Sequence, residues 1–155
     1  MSEYKGRCAC GAVSYEIDRT PLIVHACHCS DCQRLTGSAF AINLVFEAKA
    51  VTTTSGAPES VKLDSPSGHP HEVFLCKACS TNLWSKYHAV PYEILYVRGG
   101  TLDDSSKMPR PVHIFTRSKQ AWFKPPESAR AFPGFYEVED VWPAESLERL
   151  NEVAV

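Results

Sequence analysis

Apolar and polar residues alternate along much of this chain with a period of two, the spacing of strands that bury one face. Val13, Tyr15 and Ile17 alternate with Ser14, Glu16 and Asp18. Phe40, Ile42, Leu44 and Phe46 alternate with smaller or polar residues. Val61 and Leu63 repeat the pattern weakly, and residues 73–75 form an apolar run. Residues 93–98 and 112–116 are further strand candidates. Ser55-Gly56, Pro66-Ser67-Gly68 and Gly99-Gly100 punctuate these runs as turns. Helical signals are confined to two places. Ser30 is placed to cap a short helix that Gly37 ends, which puts Cys32 in the first turn. A second helix is expected from Pro143 through Leu147 and Leu150. Residues 124–133, with three prolines, read as a loop. The pattern predicts a mainly β protein of short antiparallel strands with one or two short helices. Its length suits one domain over residues 1–155.

Composition narrows the class. With 44% hydrophobic and 22% charged residues, the chain has the makings of a core and is no disordered tail. No apolar run approaches the ~20 residues that span a bilayer, so no membrane partner is expected. The net charge of −2, with no run of Lys or Arg, argues against nucleic acid. The opening residues Met-Ser-Glu-Tyr-Lys-Gly lack the apolar core of a signal peptide. A cytoplasmic location is expected, where thiols stay reduced and clustered cysteines mean metal or catalysis.

The candidate chemistry lies in seven cysteines in three clusters: Cys8-Ala-Cys10, Cys27-His-Cys29-Ser-Asp-Cys32 and Cys76-Lys-Ala-Cys79. Thiols one or two residues apart converge readily on one ion, whereas a disulfide between them would be strained. An odd count also leaves a full disulfide framework with one thiol over. Zinc suits a set of thiolates best. Seven is four plus three: four thiolates close a structural zinc, and three leave a position open, as in a reactive one. Cys27, Cys29 and Cys32 fit one short loop. The pairs Cys8/Cys10 and Cys76/Cys79 would meet across a long loop and contribute to folding. A closed second site completed by His25, His28 or His113 is the alternative.

With these clusters on view, the chain resembles the glutathione-dependent formaldehyde-activating (Gfa) family. The resemblance rests on C-x-C near the start, C-H-C-S-D-C-Q-R-L-T-G-S at 27–38, C-x-x-C at 76–79 and the segment 113–122. It covers about residues 4–123 and leaves 124–155 as a C-terminal extension. It implies a β-tent fold with two zinc ions per chain. Cys8, Cys10, Cys76 and Cys79 would be structural, and Cys27, Cys29 and Cys32 catalytic. The implied activity is a carbon–sulfur lyase reaction written in reverse: addition of a thiol, such as glutathione, to a small carbonyl compound, formaldehyde, giving S-(hydroxymethyl)glutathione. Ser80 departs from the pattern, since the family commonly has glycine after the second C-x-x-C.

Three thiolates leave a zinc with a charge near −1, a weaker Lewis acid than one held by neutral histidines. Such a site suits exchange of water for a thiol, held as the nucleophilic thiolate. Glutathione's two carboxylates need cationic partners. Arg34, close behind the reactive cluster, is the first candidate, and Lys77, Arg98, Arg110, Arg117 and Lys119 follow. Trp84, Trp122 and Phe123 read as packing. A zinc deaminase is set aside, because no Glu lies two residues after a candidate ligand and no Pro precedes Cys76. The competing readings are a non-enzymatic zinc-binding β-tent module and a thiol- or redox-responsive binding protein.

Overall fold

The computed structural model describes residues 2–155, and ten strands among them form two sheets. The strands are β1 (Tyr4–Arg7), β2 (Ser14–Ile17), β3 (Ile23–Cys27), β4 (Ala41–Glu47), β5 (Val51–Ser55), β6 (Glu59–Leu63), β7 (His71–Leu75), β8 (Asn82–Tyr87), β9 (Ile94–Arg98) and β10 (Val112–Ile114). The helices are α1 (Ser30–Thr36), α2 (Val138–Val141) and α3 (Ala144–Asn151). The smaller sheet has the order β1-β2-β5 and the larger β10-β3-β4-β9-β8-β7-β6. The mainly β expectation holds. One pairing departs from the antiparallel expectation: β10 lies parallel to β3. No hairpin joins these two strands, so turn geometry does not force them antiparallel.

The molecule is layered around the larger sheet. On one side Tyr4, Tyr15 and Ile17 of the smaller sheet pack against Val24, Leu44, Phe46, Leu83 and Val97. Gly6 is required here, because a Cβ on it would fall 2.3 Å from the Tyr15 ring. On the other side Val45, Ile94, Val112 and Ile114 pack against Val141, Trp142 and Leu150 from the C-terminal extension. Strand β4 is therefore buried on both faces, and Asn43, Val45 and Glu47 on its second face are all covered.

Glu47, 1% exposed, fastens the extension to the sheet. Its carboxylate accepts from Arg149 Nε at 2.9 Å, Arg149 Nη2 at 2.8 Å and Arg19 Nη1 at 3.1 Å. Residues 130–134 run beside β10: His113 N donates to Arg130 O and Phe132 N to His113 O. The expected loop there is thus backbone-bonded to the sheet edge, though it is neither strand nor helix. Among the described residues, no helix is long and apolar enough to cross a membrane.

Both expected helices form. In α1, Gly37 adopts φ +62° and closes the last turn as expected. The cap is Cys29 rather than Ser30, which is the first helical residue. Cys29 Sγ accepts the N–H of Cys32 at 3.2 Å, doing the work usually done by a serine or aspartate oxygen.

Candidate metal centres

Two chain reversals build the four-cysteine set. Cys8 follows β1, and its carbonyl accepts from Gly11 N in a turn with Gly11 at φ +79°. Cys76 follows β7, and its carbonyl accepts from Ser80 N in a turn with Ser80 at φ +61°. That left-handed conformation explains why glycine suits the position and why serine is tolerated only with strain. Thr81 joins the two turns, accepting from Ala9 N at 3.1 Å. The four Sγ atoms lie within 4.8 Å of one another. Cys8 to Cys10 is 3.6 Å and Cys10 to Cys76 is 3.8 Å. A tetrahedron of sulfurs about 2.3 Å from a zinc has edges of about 3.8 Å, so the set fits the ion.

The surroundings favour the thiolate at two of the four, while at Cys10 a backbone N–H that lowers the thiol is outweighed by the neighbouring sulfurs, which push it up to about 11. Val13 N donates to Cys8 Sγ at 3.3 Å and holds that thiol below its usual range. The Thr81 hydroxyl, 3.0 Å from Cys79 Sγ, and then backbone N–H groups bring Cys79 down to about 5.

Cys27 ends β3, Cys29 caps α1 and Cys32 lies in its first turn, and their Sγ atoms also converge within 4.8 Å. Three thiols this close cannot all ionise alone. Contacts with Cys27 and then Cys32 draw Cys29 down to about 2, while contacts with Cys29 and Cys32 push Cys27 far up. A divalent cation would relieve that conflict, which is the fit expected of a metal site.

Among the described residues, no histidine joins the three sulfurs. His28 lies between two of the cysteines, yet its Nε2 is 2.9 Å from His113 Nδ1 and its ring packs against Phe40 and Phe123. Its carbonyl accepts from Gln33 Nε2 at 2.8 Å and Ser118 Oγ at 2.9 Å. Those bonds hold the Cys27–Cys32 loop and tie it to the segment after β10. His25 instead meets the hydroxyl of Tyr136, which accepts from Trp142 Nε1 at 2.8 Å.

The candidate cations scatter. Arg34 is exposed on α1 and lines an open groove of about 460 Å³ with Ser38, Gln120 and Trp122. Lys77 pairs with Glu59 at 3.6 Å, Arg110 donates to Ser128, and Arg117 lies over the Phe115 ring. Lys119 is half-buried. Arg98 alone is buried, beside Asn43. Trp84 packs edge-on against Tyr15 in the core and Phe123 stacks on His113, while Trp122 is 70% exposed. Asn43 and Tyr136 escaped the sequence reading. The one available signal for Asn43 was a polar residue inside an otherwise apolar strand.

The fold and the donor sets thus define a mainly β protein with two cysteine clusters that could hold metal ions. The family model for the glutathione-dependent formaldehyde-activating enzyme matches residues 3–118, and the chain belongs to that family. Among curated proteins none matches. The fold is similar to the crystal structure of a Rhodobacter sphaeroides protein, a structural-genomics target, at a TM-score of 0.53 and 20% identity. That match covers 70% of this chain and 98% of the other.

Proposed function

We propose that this protein is a carbon–sulfur lyase that makes or breaks a thiol–aldehyde adduct such as S-(hydroxymethyl)glutathione. Cys27, Cys29 and Cys32 hold the reactive metal, and Cys8, Cys10, Cys76 and Cys79 a structural one. One observation carries the reading: one set offers four protein ligands and the other only three among the described residues. Zinc at the three-cysteine set would hold an incoming thiol as its nucleophilic thiolate. The residues around it do the positioning. Gln33 and Ser118 fix the loop through the His28 carbonyl, and the α1 N-terminus supports Cys29 and Cys32.

In the synthetic direction the thiol sulfur bonds to the carbonyl carbon, and the C=O π pair moves to oxygen. The thiol proton is lost and the new oxygen gains one. Arg34 is the proposed contact for a carboxylate remote from the thiol. Two residues of helix turn it about 200° from Cys32, onto the opposite face, so only a part of the substrate far from the sulfur, reaching the groove with Gln120 and Trp122, would meet it.

The test is native mass spectrometry of zinc per chain with and without millimolar glutathione. Two zincs, with glutathione retained by one or competing for it, is the expected result. Two zincs indifferent to every thiol tried would overturn the proposal in favour of a structural or binding module.

A further inference from the structure

Among the described residues, Arg98 is the only lysine or arginine that is buried, at 6% exposure. The sheet register places it. His25 is opposite Asn43 on β4, and Asn43 is opposite Arg98 on β9, so the three form one row across the sheet. Cys27 is two residues beyond His25 on the same face of β3. Arg98 Nη1 donates to Asn43 Oδ1. Its Nε and Nη2 are buried and find no acceptor among the described residues. Charged donors in a buried site are normally all satisfied, so unsatisfied ones call for a partner: a water, an ion or a ligand. The Cys32 side chain interacts with the guanidinium directly, and Cys27 and Cys29 lie within electrostatic range of it. The row from His25 through Asn43 to Arg98 lies on the sheet face that carries Cys27, which puts the guanidinium on the side of the three-cysteine set.

The charge count makes such a cation useful. Three thiolates and a dication sum to −1, and a fourth thiolate brings −2. A second anionic oxygen beside that sulfur is admissible only with a positive group against it.

We propose that Arg98 is the anion-recognition residue of the three-cysteine site: its free Nε–H and Nη2–H receive an oxygen anion borne on the first or second carbon from the sulfur of a thiol seated there. This rests on the reading of that site as open to thiols. In turnover the anion is the alkoxide formed when the C–S bond forms and the C=O π pair moves to oxygen. The thiol's proton goes to water, and the alkoxide takes one from water before the adduct leaves. Two preformed donors aimed at developing charge are the arrangement of an oxyanion hole. Arg34, exposed on α1, serves a distant carboxylate instead, so the two arginines read different parts of one substrate.

The experiment uses two small thiols of similar size. In mercaptoacetate the second carbon from the sulfur is the carboxylate carbon, and in 2-mercaptoethanol that carbon bears a neutral hydroxyl. Each is titrated into the cobalt(II)-loaded full chain, and binding is followed by the sulfur-to-cobalt charge-transfer band. The wild-type protein is expected to prefer mercaptoacetate by about tenfold or more, the scale of a charge-assisted hydrogen bond. Arg98→Gln is expected to erase that preference while still binding 2-mercaptoethanol. Arg98→Lys, which keeps the charge but not the fork of donors, is expected to retain part of it. Equal affinity for the two thiols in the wild type overturns the assignment, even if both variants fail to fold. A preference that survives Arg98→Gln overturns it too. If neither thiol perturbs the band, the open-site reading itself fails and the role of Arg98 falls with it.

Discussion

Glu47→Gln is an isosteric change that removes one charge from the clamp between β4 and α3. The carboxylate is 1% exposed and accepts three guanidinium hydrogen bonds, two from Arg149 and one from Arg19. An amide accepts through one oxygen and presents an NH2 to the second guanidinium contact. Breaking a buried pair by changing one partner typically costs about 3–5 kcal/mol. Arg149 is 16% exposed and Arg19 33%, so both can recover some solvation, and about 3 kcal/mol is expected. For a chain of this length about 0.3 kcal/mol corresponds to one degree, so Tm falls by about 10 °C. The assay is denaturation followed by circular dichroism at fixed zinc, since bound metal shifts apparent stability. Arg149→Met and the double variant complete a cycle with an expected coupling of about 2 kcal/mol.

The pH dependence has a definite sign. Burial alone would raise the Glu47 carboxyl, but Arg149, its own backbone N–H and Arg19 hold it below the ordinary 4.5. Its contribution is complete above that value and is lost as pH falls through the depressed folded one. The gap between wild type and Glu47→Gln should therefore close below pH 4.5. A loss under about 1 kcal/mol at neutral pH, or no coupling to Arg149, would refute the clamp.

Three further outcomes test the division of the cysteines and the turn at Ser80. Cys79→Ser is expected to collapse the fold, because it opens the set that joins two turns 66 residues apart in the chain. Cys29→Ser is expected to lose one metal while the circular dichroism spectrum persists; equal damage from both would remove the distinction between the sets. Ser80→Gly relieves a φ of +61° and is expected to stabilise the protein by up to about 1 kcal/mol, read as a raised denaturation midpoint. A lower midpoint would mean that the serine side chain contributes more than its backbone strain costs.

The sequence made some parts of this molecule plain and hid others for physical reasons. Strands with one buried face, such as β2, alternate and are visible. Strand β8 buries Leu83, Trp84 and Ser85 in succession, and β5 leaves Thr52, Thr53 and Thr54 exposed, so neither alternates. Strand β1 was missed because Gly6, a residue without an apolar side chain, occupies a buried position that the Tyr15 ring covers. The cysteine clusters were legible because spacing alone restricts where thiols can go. Helix α1 was placed correctly, but its cap was misread because a sulfur took the role of an oxygen. Arg98 stood among six candidate cations with nothing local to distinguish it. Only the pairing of β3, β4 and β9 brings it into the row with Asn43 and His25.

That pairing also separates structure from chemistry on a single strand. Asn43 and Glu47 lie on the same face of β4, four residues apart, and each meets an arginine in a buried place. At Glu47 both carboxylate oxygens are occupied, and the partners reach out to Thr20 O and Asp18. The network is closed, and its effect is to hold the C-terminal extension against the sheet. At Asn43 the arginine spends one nitrogen on the amide and leaves two donors without an acceptor. A closed network does not change when a ligand arrives, whereas an open one lowers its free energy only by meeting one. The closed pair lies where β4 meets the extension. The open pair lies toward the strand end where Cys27 faces Ala41, beside the three thiols.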